Sequence, residues 1–249
     1  MSAQSGWIRQ FHEPSAPELA PLLVFPHAGA GASSLLHLSE ALREHFSVLV
    51  FQYPGRQDRS DEPALTTLPA IAVGAFADFR RSEFNRGRPI TTFGHSMGAL
   101  VSFEFARLAE AAGIEIRQLT VSAAVAPCLV ADKPPHPTAD DEILAHLARL
   151  EGTDDAVFTD PEVMALSLPV IKADYRAFDG YSCPATARVA ARIHAICGTR
   201  DVFVSMRDLY GWGRHTDDLH VTMFDGGHFY LNDHIGEIAD LLGTEANSR

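Results

Sequence analysis

The sequence predicts an α/β fold in which a mostly parallel central sheet carries helices on both faces and a helical segment is inserted late in the chain. Three observations predict it. Short runs rich in Val, Leu and Phe, bounded by turn residues, recur along the chain and read as buried strands. Amphipathic stretches with helical spacing alternate with them, the arrangement that leaves strands parallel and covered on both sides. The alternation breaks at 127–187, where a Pro-rich stretch and helical patterns replace the single crossover helix expected there. The chain, 1–249, is expected to form one domain with 127–187 inserted in it.

Residues 21–26 (PLLVFP) and 47–53 (SVLVFQY) are the first two strands, and Leu35, Leu38 and Leu42 share one face of a helix predicted over 33–45. A second amphipathic helix spans 68–84 and stops before Asn85-Arg86-Gly87. Residues 89–94 (PITTFG) make a strand, followed by a long helix over 97–112 that Gly113 ends. Strands return at 118–125, 190–197 and 219–224, and a final helix is expected over 232–242. Within 127–187, Pro127, Pro134, Pro135 and Pro137 precede a helix from about 138 to 150 with Ile143, Leu144, Leu147 and Leu150 on its apolar face. Thr159-Asp160-Pro161-Glu162 then reads as a capping-box helix start with Pro in the first turn. The segment is either an ordinary helical subdomain or a lid over a site. The lid is favoured because the segment leaves the strand run at Ala126.

Hydrophobic residues make up 46% and charged residues 21% of the 249, which excludes wholesale disorder, collagen and coiled coil. A net charge of −12 suits a phosphate backbone poorly. The acidic excess is concentrated in 132–179, with 11 acidic and 4 basic residues. No apolar run approaches the ~18 residues of a membrane-spanning helix, and the opening MSAQSGWIRQ lacks the apolar stretch of a secretory signal. Cys128, Cys183 and Cys197 are far apart, with no CxxC, which argues against a disulfide framework and structural zinc. A soluble, cytoplasmic monomer is expected, without nucleic-acid or membrane binding, metal or cofactor.

The sharpest local signal is Gly94-His95-Ser96-Met97-Gly98, a G-x-S-x-G between a predicted strand and a predicted helix. A tight turn there strains Ser96 and lifts its oxygen above the sheet, while the flanking glycines let the helix pack close. A serine needs a base. Among twelve histidines, His228 in Asp225-Gly226-Gly227-His228-Phe229 follows the last strand, at the rim of the sheet where Ser96 sits. His95 adjoins Ser96 but points away from it, and reads as a filler of the turn. The acid that orients His228 is expected between the two in sequence; Asp201, after strand 190–197, sits on the same rim and is preferred to Asp208, Asp217 and Asp225. Two backbone N–H groups are candidates to hold an oxyanion: Met97, at the start of the helix, and Ala28, in the small-residue loop Phe25–Ser34. That loop lacks the Gly-Lys-Ser/Thr of a P-loop.

FPHAGAG near the start, YPGRQDR at 53–59, GHSMGAL at 94–100, GTRD at 198–201 and GGHFYLN at 226–232 together resemble the type II thioesterases. These are stand-alone α/β-hydrolases that accompany nonribosomal peptide and polyketide synthases. The likeness runs from about residue 20 to 243, with Ala30 where the family more often has Gly. It implies an α/β-hydrolase fold and hydrolysis of acyl groups from the phosphopantetheine arm of acyl- or peptidyl-carrier protein domains, in proofreading or product release. It also implies that 127–187 is the lid lining the acyl pocket, with Met164 and Leu168 as candidate lining residues. Carrier domains are typically acidic, so local arginines are expected to recognise them. Strand direction places Arg56 and Arg59 on the Ser96 rim, near the entrance, and Arg80, Arg81, Arg86 and Arg88 at the opposite end as a solvated face. A small-molecule carboxylesterase or lipase-like enzyme, and a non-catalytic binding module on the same fold, are the alternatives; fold alone does not separate them.

Overall fold

A computed structural model describes residues 6–151 and 161–247, with side chains for 6–150 and 167–244. Among the described residues, seven strands form one sheet: β1 (Ile8–Arg9), β2 (Pro21–Phe25), β3 (Ser47–Phe51), β4 (Ile90–His95), β5 (Ile116–Ser122), β6 (Arg192–Gly198) and β7 (Leu219–Phe224). Their order is β1-β3-β2-β4-β5-β6-β7. β1 runs antiparallel to β3, and every other pair is parallel. β2 and β4 are buried at every residue; β2 therefore reads as an unbroken apolar run rather than an alternating one, while β4 also buries Thr91, Thr92 and His95.

The helices are α1 (Leu36–Leu42), α2 (Leu68–Arg81), α3 (Met97–Ala111), α4 (Asp140–Glu151), α5 (Pro161–Asp179), α6 (Met206–Tyr210) and α7 (Ile235–Asn247). Thr67 caps α2, its side chain accepting from the Ala70 N–H, and Pro69 sits in the first turn where no helical N–H is needed. α2 packs on α3 and α1 on α7. Phe25, Phe51, Phe76 and Phe79 gather around Phe105 of α3, with ring centroids 5.3–5.9 Å away, and tie α2, α3 and the sheet into one core.

Several predicted elements end differently: the helix expected over 68–84 stops at Arg81, and the final helix, expected over 232–242, spans Ile235–Asn247. The strand expected to 125 stops at Ser122, because Ala123 takes φ +48° and leaves the sheet. The helix expected over 33–45 is a 3-10 turn at Ala32–Leu35 followed by α1. The predicted strand 190–197 begins at Arg192, after Glu110 of α3 has taken the Ala190 and Ala191 N–H groups at 2.9 and 3.0 Å. The inserted segment opens with a 3-10 turn, Pro127–Asp132, then α4 and α5. Thr159 and Asp160 of the predicted capping box lie outside the described residues.

Chain order makes the crevice. From β2 the chain goes to β3 on one side, then crosses back to β4 on the other, so the loops after β2 and β4 part at the C-terminal edge. Phe25 pairs with Gly94, which brings the loop that follows β2 level with the turn at Ser96.

Candidate active site

Ser96 is the N-cap of α3, with φ +54° and ψ −120°. A non-glycine residue with positive φ is strained, and packing on both sides holds it. The Ser96 N–H donates to the Ser122 carbonyl at 2.7 Å. A Cβ at Gly94 would strike the Gly98 carbonyl, and one at Gly98 would strike the Phe25 carbonyl, so both must be glycine for α3 to sit this close to β2 and β4.

His228 Nε2 lies 3.0 Å from Ser96 Oγ, and His228 Nδ1 lies 2.8 Å from Asp201 Oδ2. The Asp201 carboxylate accepts a hydrogen bond from Nδ1–H and so holds the proton on Nδ1, which leaves Nε2 to accept from the serine hydroxyl. Asp201 is fully buried, and its other oxygen accepts from the Phe203 and Val204 N–H groups at 2.8 and 3.1 Å. Burial pushes this carboxyl up, but the His228 bond and charge with the two backbone donors outweigh it, and the net shift is below the usual carboxylate value. The structure therefore brings together the three side chains singled out as Ser96, Asp201 and His228. The rival acids are engaged elsewhere. Asp208 caps α6 with Ser205 and pairs with Lys133 at 2.7 Å, Asp217 pairs with Arg188, and Asp225 with Arg200.

His95 turns under the sheet edge. Its Nδ1 is 2.9 Å from Ser122 Oγ, which is 2.7 Å from the Tyr230 hydroxyl, and its Nε2 has no partner among the described residues. Burial keeps the imidazole well below its ordinary pKa, hence neutral. The sequence reading did not single out Ser122 and Tyr230, which form this buried chain; the GGHFYLN motif held the only pointer to Tyr230.

Met97 begins α3, so its N–H belongs to the first turn, which has no acceptor within the helix. Ala28 and Met97 both line a cavity of about 1030 Å³ that also takes in Ser96 and His228. Leu147 and Leu150 of α4 and Ile171 and Tyr175 of α5 form its other wall. Ala30, where glycine is more usual, is not among the positive-φ residues, so its side chain brings no backbone strain. Leu168 is not one of the described lining residues; it packs on the cluster of Ile143, Leu147, Ile171 and Tyr175 that joins α4 to α5. The Met164 side chain lies outside the described residues.

The two rim arginines require a correction. Arg56 is not at an entrance: it is buried, its guanidinium held by Asp174 of α5 at 2.8 and 2.9 Å. Arg59 lies over the Trp7 ring at 4.6 Å and donates to Glu62 and the Gln52 carbonyl, its side chain only 10% exposed. Strand direction located their backbones but could not show that partners from other parts of the chain occupy the side chains. Arg80, Arg81, Arg86 and Arg88 are exposed.

A mostly parallel sheet of this order, with a serine at the turn into α3 and an acid and a histidine on later loops, defines an α/β-hydrolase. The thioesterase domain family matches residues 20–245, and the chain belongs to that family. Phenyloxazoline synthase MbtB of Mycobacterium tuberculosis is 42% identical over 241 residues, which cover 96% of this chain and 17% of that much longer protein. Thioesterase PikA5 of Streptomyces venezuelae is 37% identical over 243 residues, covering 96% of this chain and 85% of its own. Among solved structures, the type II thioesterase BorB from the borrelidin biosynthetic cluster has a TM-score of 0.85 at 36% identity, over 97% of this chain and 98% of that one. Among the described residues, no helix is long and apolar enough to cross a membrane.

Proposed function

We propose that this chain is a serine thioesterase of the cytoplasm that hydrolyses acyl groups from the phosphopantetheine arm of carrier domains in nonribosomal peptide or polyketide synthesis. The observation that carries the reading is the hydrogen-bonded run from Ser96 through His228 to Asp201, at a cavity walled by α4 and α5. The relatives' names supply the thioester, and the carrier-borne arm is what the resemblance to type II thioesterases implies.

His228 Nε2 takes the Ser96 proton as Oγ attacks the thioester carbonyl. The Met97 and Ala28 N–H groups hold the resulting oxyanion. The C–S bond breaks, and the thiol leaves with the proton from His228. Water then gives a proton to His228 and attacks the acyl-serine. The second tetrahedral adduct collapses, releases the carboxylic acid and restores Ser96. Asp201 remains ionised throughout and stabilises the imidazolium. In this reading 127–187 is the lid, and α4 and α5 shape the acyl pocket.

Turnover of an acyl-carrier thioester, compared with a p-nitrophenyl ester of the same acyl group, tests the proposal. A higher kcat/KM on the carrier substrate is expected. A preference for the free ester would favour a small-molecule esterase, and no turnover of either would favour a binding module.

A further inference from the structure

The loop after β2 and helix α5 meet at one carboxylate. Asp174 of α5 is completely buried, and its Oδ2 accepts from the Gly29 N–H at 2.7 Å. Arg56 closes on the same carboxylate through both terminal nitrogens and also reaches the Ala30 carbonyl at 3.3 Å. On the other side of the same peptide unit, His27 Nδ1 donates to the Ala28 carbonyl at 3.0 Å. The Ala28–Gly29 peptide is thus held at both poles, its oxygen by His27 and its N–H by Asp174. Gly29 has φ +76°, and a Cβ there would come within 2.6 Å of Ile171, one turn before Asp174 on α5. With the following peptide plane held, the Ala28 backbone, which lines the same cavity as Ser96, is constrained as well.

A buried ion pair is a weak source of stability, because desolvation offsets its attraction and apolar residues of similar volume fill the same space. This pair does something apolar residues cannot: it aims an acceptor at one backbone N–H and a planar donor at the carbonyl of the next residue. We propose that Asp174, oriented by Arg56, is a positioning residue for the oxyanion hole, so that the seating of α5 sets the aim of the Ala28 N–H. Were α5 to lift from the loop, the Gly29 N–H would lose its acceptor and the oxyanion site its alignment, which links catalytic competence to the position of the acyl-pocket wall. The inference rests on the hydrolase reading above.

The test compares wild type with Asp174→Leu, Arg56→Met and the double variant. Each is assayed for hydrolysis of an acyl-N-acetylcysteamine thioester and for inhibition by an alkyl boronic acid. The boronic acid forms a tetrahedral adduct on a serine oxygen and so samples the oxyanion hole. Each single change leaves a buried group unpaired and is expected to lower the unfolding midpoint, which the double variant recovers at least in part. The double variant is expected to keep KM within about threefold and to lose roughly 10- to 100-fold in both kcat and boronic acid affinity, the scale of a displacement of about 1 Å. If the double variant does not fold, Asp174→Asn is read by the same two assays, and parallel losses are expected. Boronic acid affinity unchanged while kcat falls, or both within about threefold of wild type, would overturn the proposal. A wild-type protein inert to thioester and boronic acid alike would overturn the hydrolase reading, and the proposal with it.

Discussion

Ser96 Oγ is the one hydroxyl within reach of His228 Nε2 among the described hydrogen bonds, and the proposed mechanism begins there. Ser96→Ala is expected to lower kcat by ~10⁴ or more while the folded state persists, because the attacking oxygen is gone and the buried scaffold is untouched. Substantial residual turnover would remove Ser96 from the reaction. Asp201→Asn is expected to cost less than Ser96→Ala, since an amide no longer holds the imidazole in the tautomer that leaves Nε2 free to accept. The same change at Asp217 is expected to leave kcat near wild type, because that carboxylate is exposed and serves only Arg188. At Asp208 it is expected to lower the unfolding midpoint through the lost α6 cap and Lys133 pair. Steady-state kinetics and thermal unfolding on the three variants separate these outcomes; equal small losses in kcat would exclude Asp201 as the orienting acid.

At the scale of elements, two contacts do most of the positioning. α3 lies against β2 at Gly98, where any side chain meets the Phe25 carbonyl. Gly98→Ala is expected to destabilise by about 1–3 kcal/mol, the usual cost of overpacking, because backbone on both sides leaves little room to adjust. A denaturant midpoint equal to wild type would show that α3 can shift. The second contact is between α4 and α5. Leu150 lines the cavity, whereas Leu168 packs between the two helices. Leu150→Trp is expected to shift acyl chain-length preference toward shorter chains with little change in unfolding midpoint. Leu168→Ala is expected to do the reverse, with a stability loss below the roughly 2–5 kcal/mol of a fully buried leucine, because Leu168 is half-buried. Competition assays across a series of acyl lengths would reveal the opposite pattern if the two roles were exchanged.

Across the whole molecule, desolvated imidazoles contribute to the acid limb of stability. Burial keeps His95 well below its ordinary value, and burial with nearby cationic groups brings His27 and His146 down to about 4. In the unfolded chain each binds a proton near pH 6.5; in the folded protein His27 and His146 stay neutral until the pH approaches 4, and burial keeps His95 neutral well below its ordinary range. Folding is therefore fully favoured by these groups above about pH 6.5 and loses their contribution as the pH falls toward 4. His234, raised by Glu237 and the Asp225 carbonyl, works in the opposite sense but lies near the surface where water screens it. The unfolding midpoint measured by calorimetry is expected to decline steadily from about pH 6.5 to 4. A flat midpoint over that window would mean that these imidazoles are solvated in the folded protein.

How much was legible follows from the range of each interaction. The turn at Ser96 depends on five consecutive residues, and the strand runs of β2 and β3 on local apolar content, so periodicity and motif were enough to place them. The order Ser96, Asp201, His228 followed because successive parallel strands deliver their loops to one rim. β1 escaped notice because two residues carry no period; only pairing with β3 makes them a strand. The strand end at Ser122 depended on a backbone angle that an alanine does not announce. Arg56 shows the limit most clearly. Its sequence neighbours described an exposed arginine on the rim, and its actual partner is 118 residues away on α5. By itself the sequence determined which side chains are charged, which segments are apolar and which turn lifts a serine. Only the tertiary structure decided which charges leave water, because desolvation and pairing depend on neighbours brought together in space, and the same guanidinium is a docking group in solvent and a strut in the core.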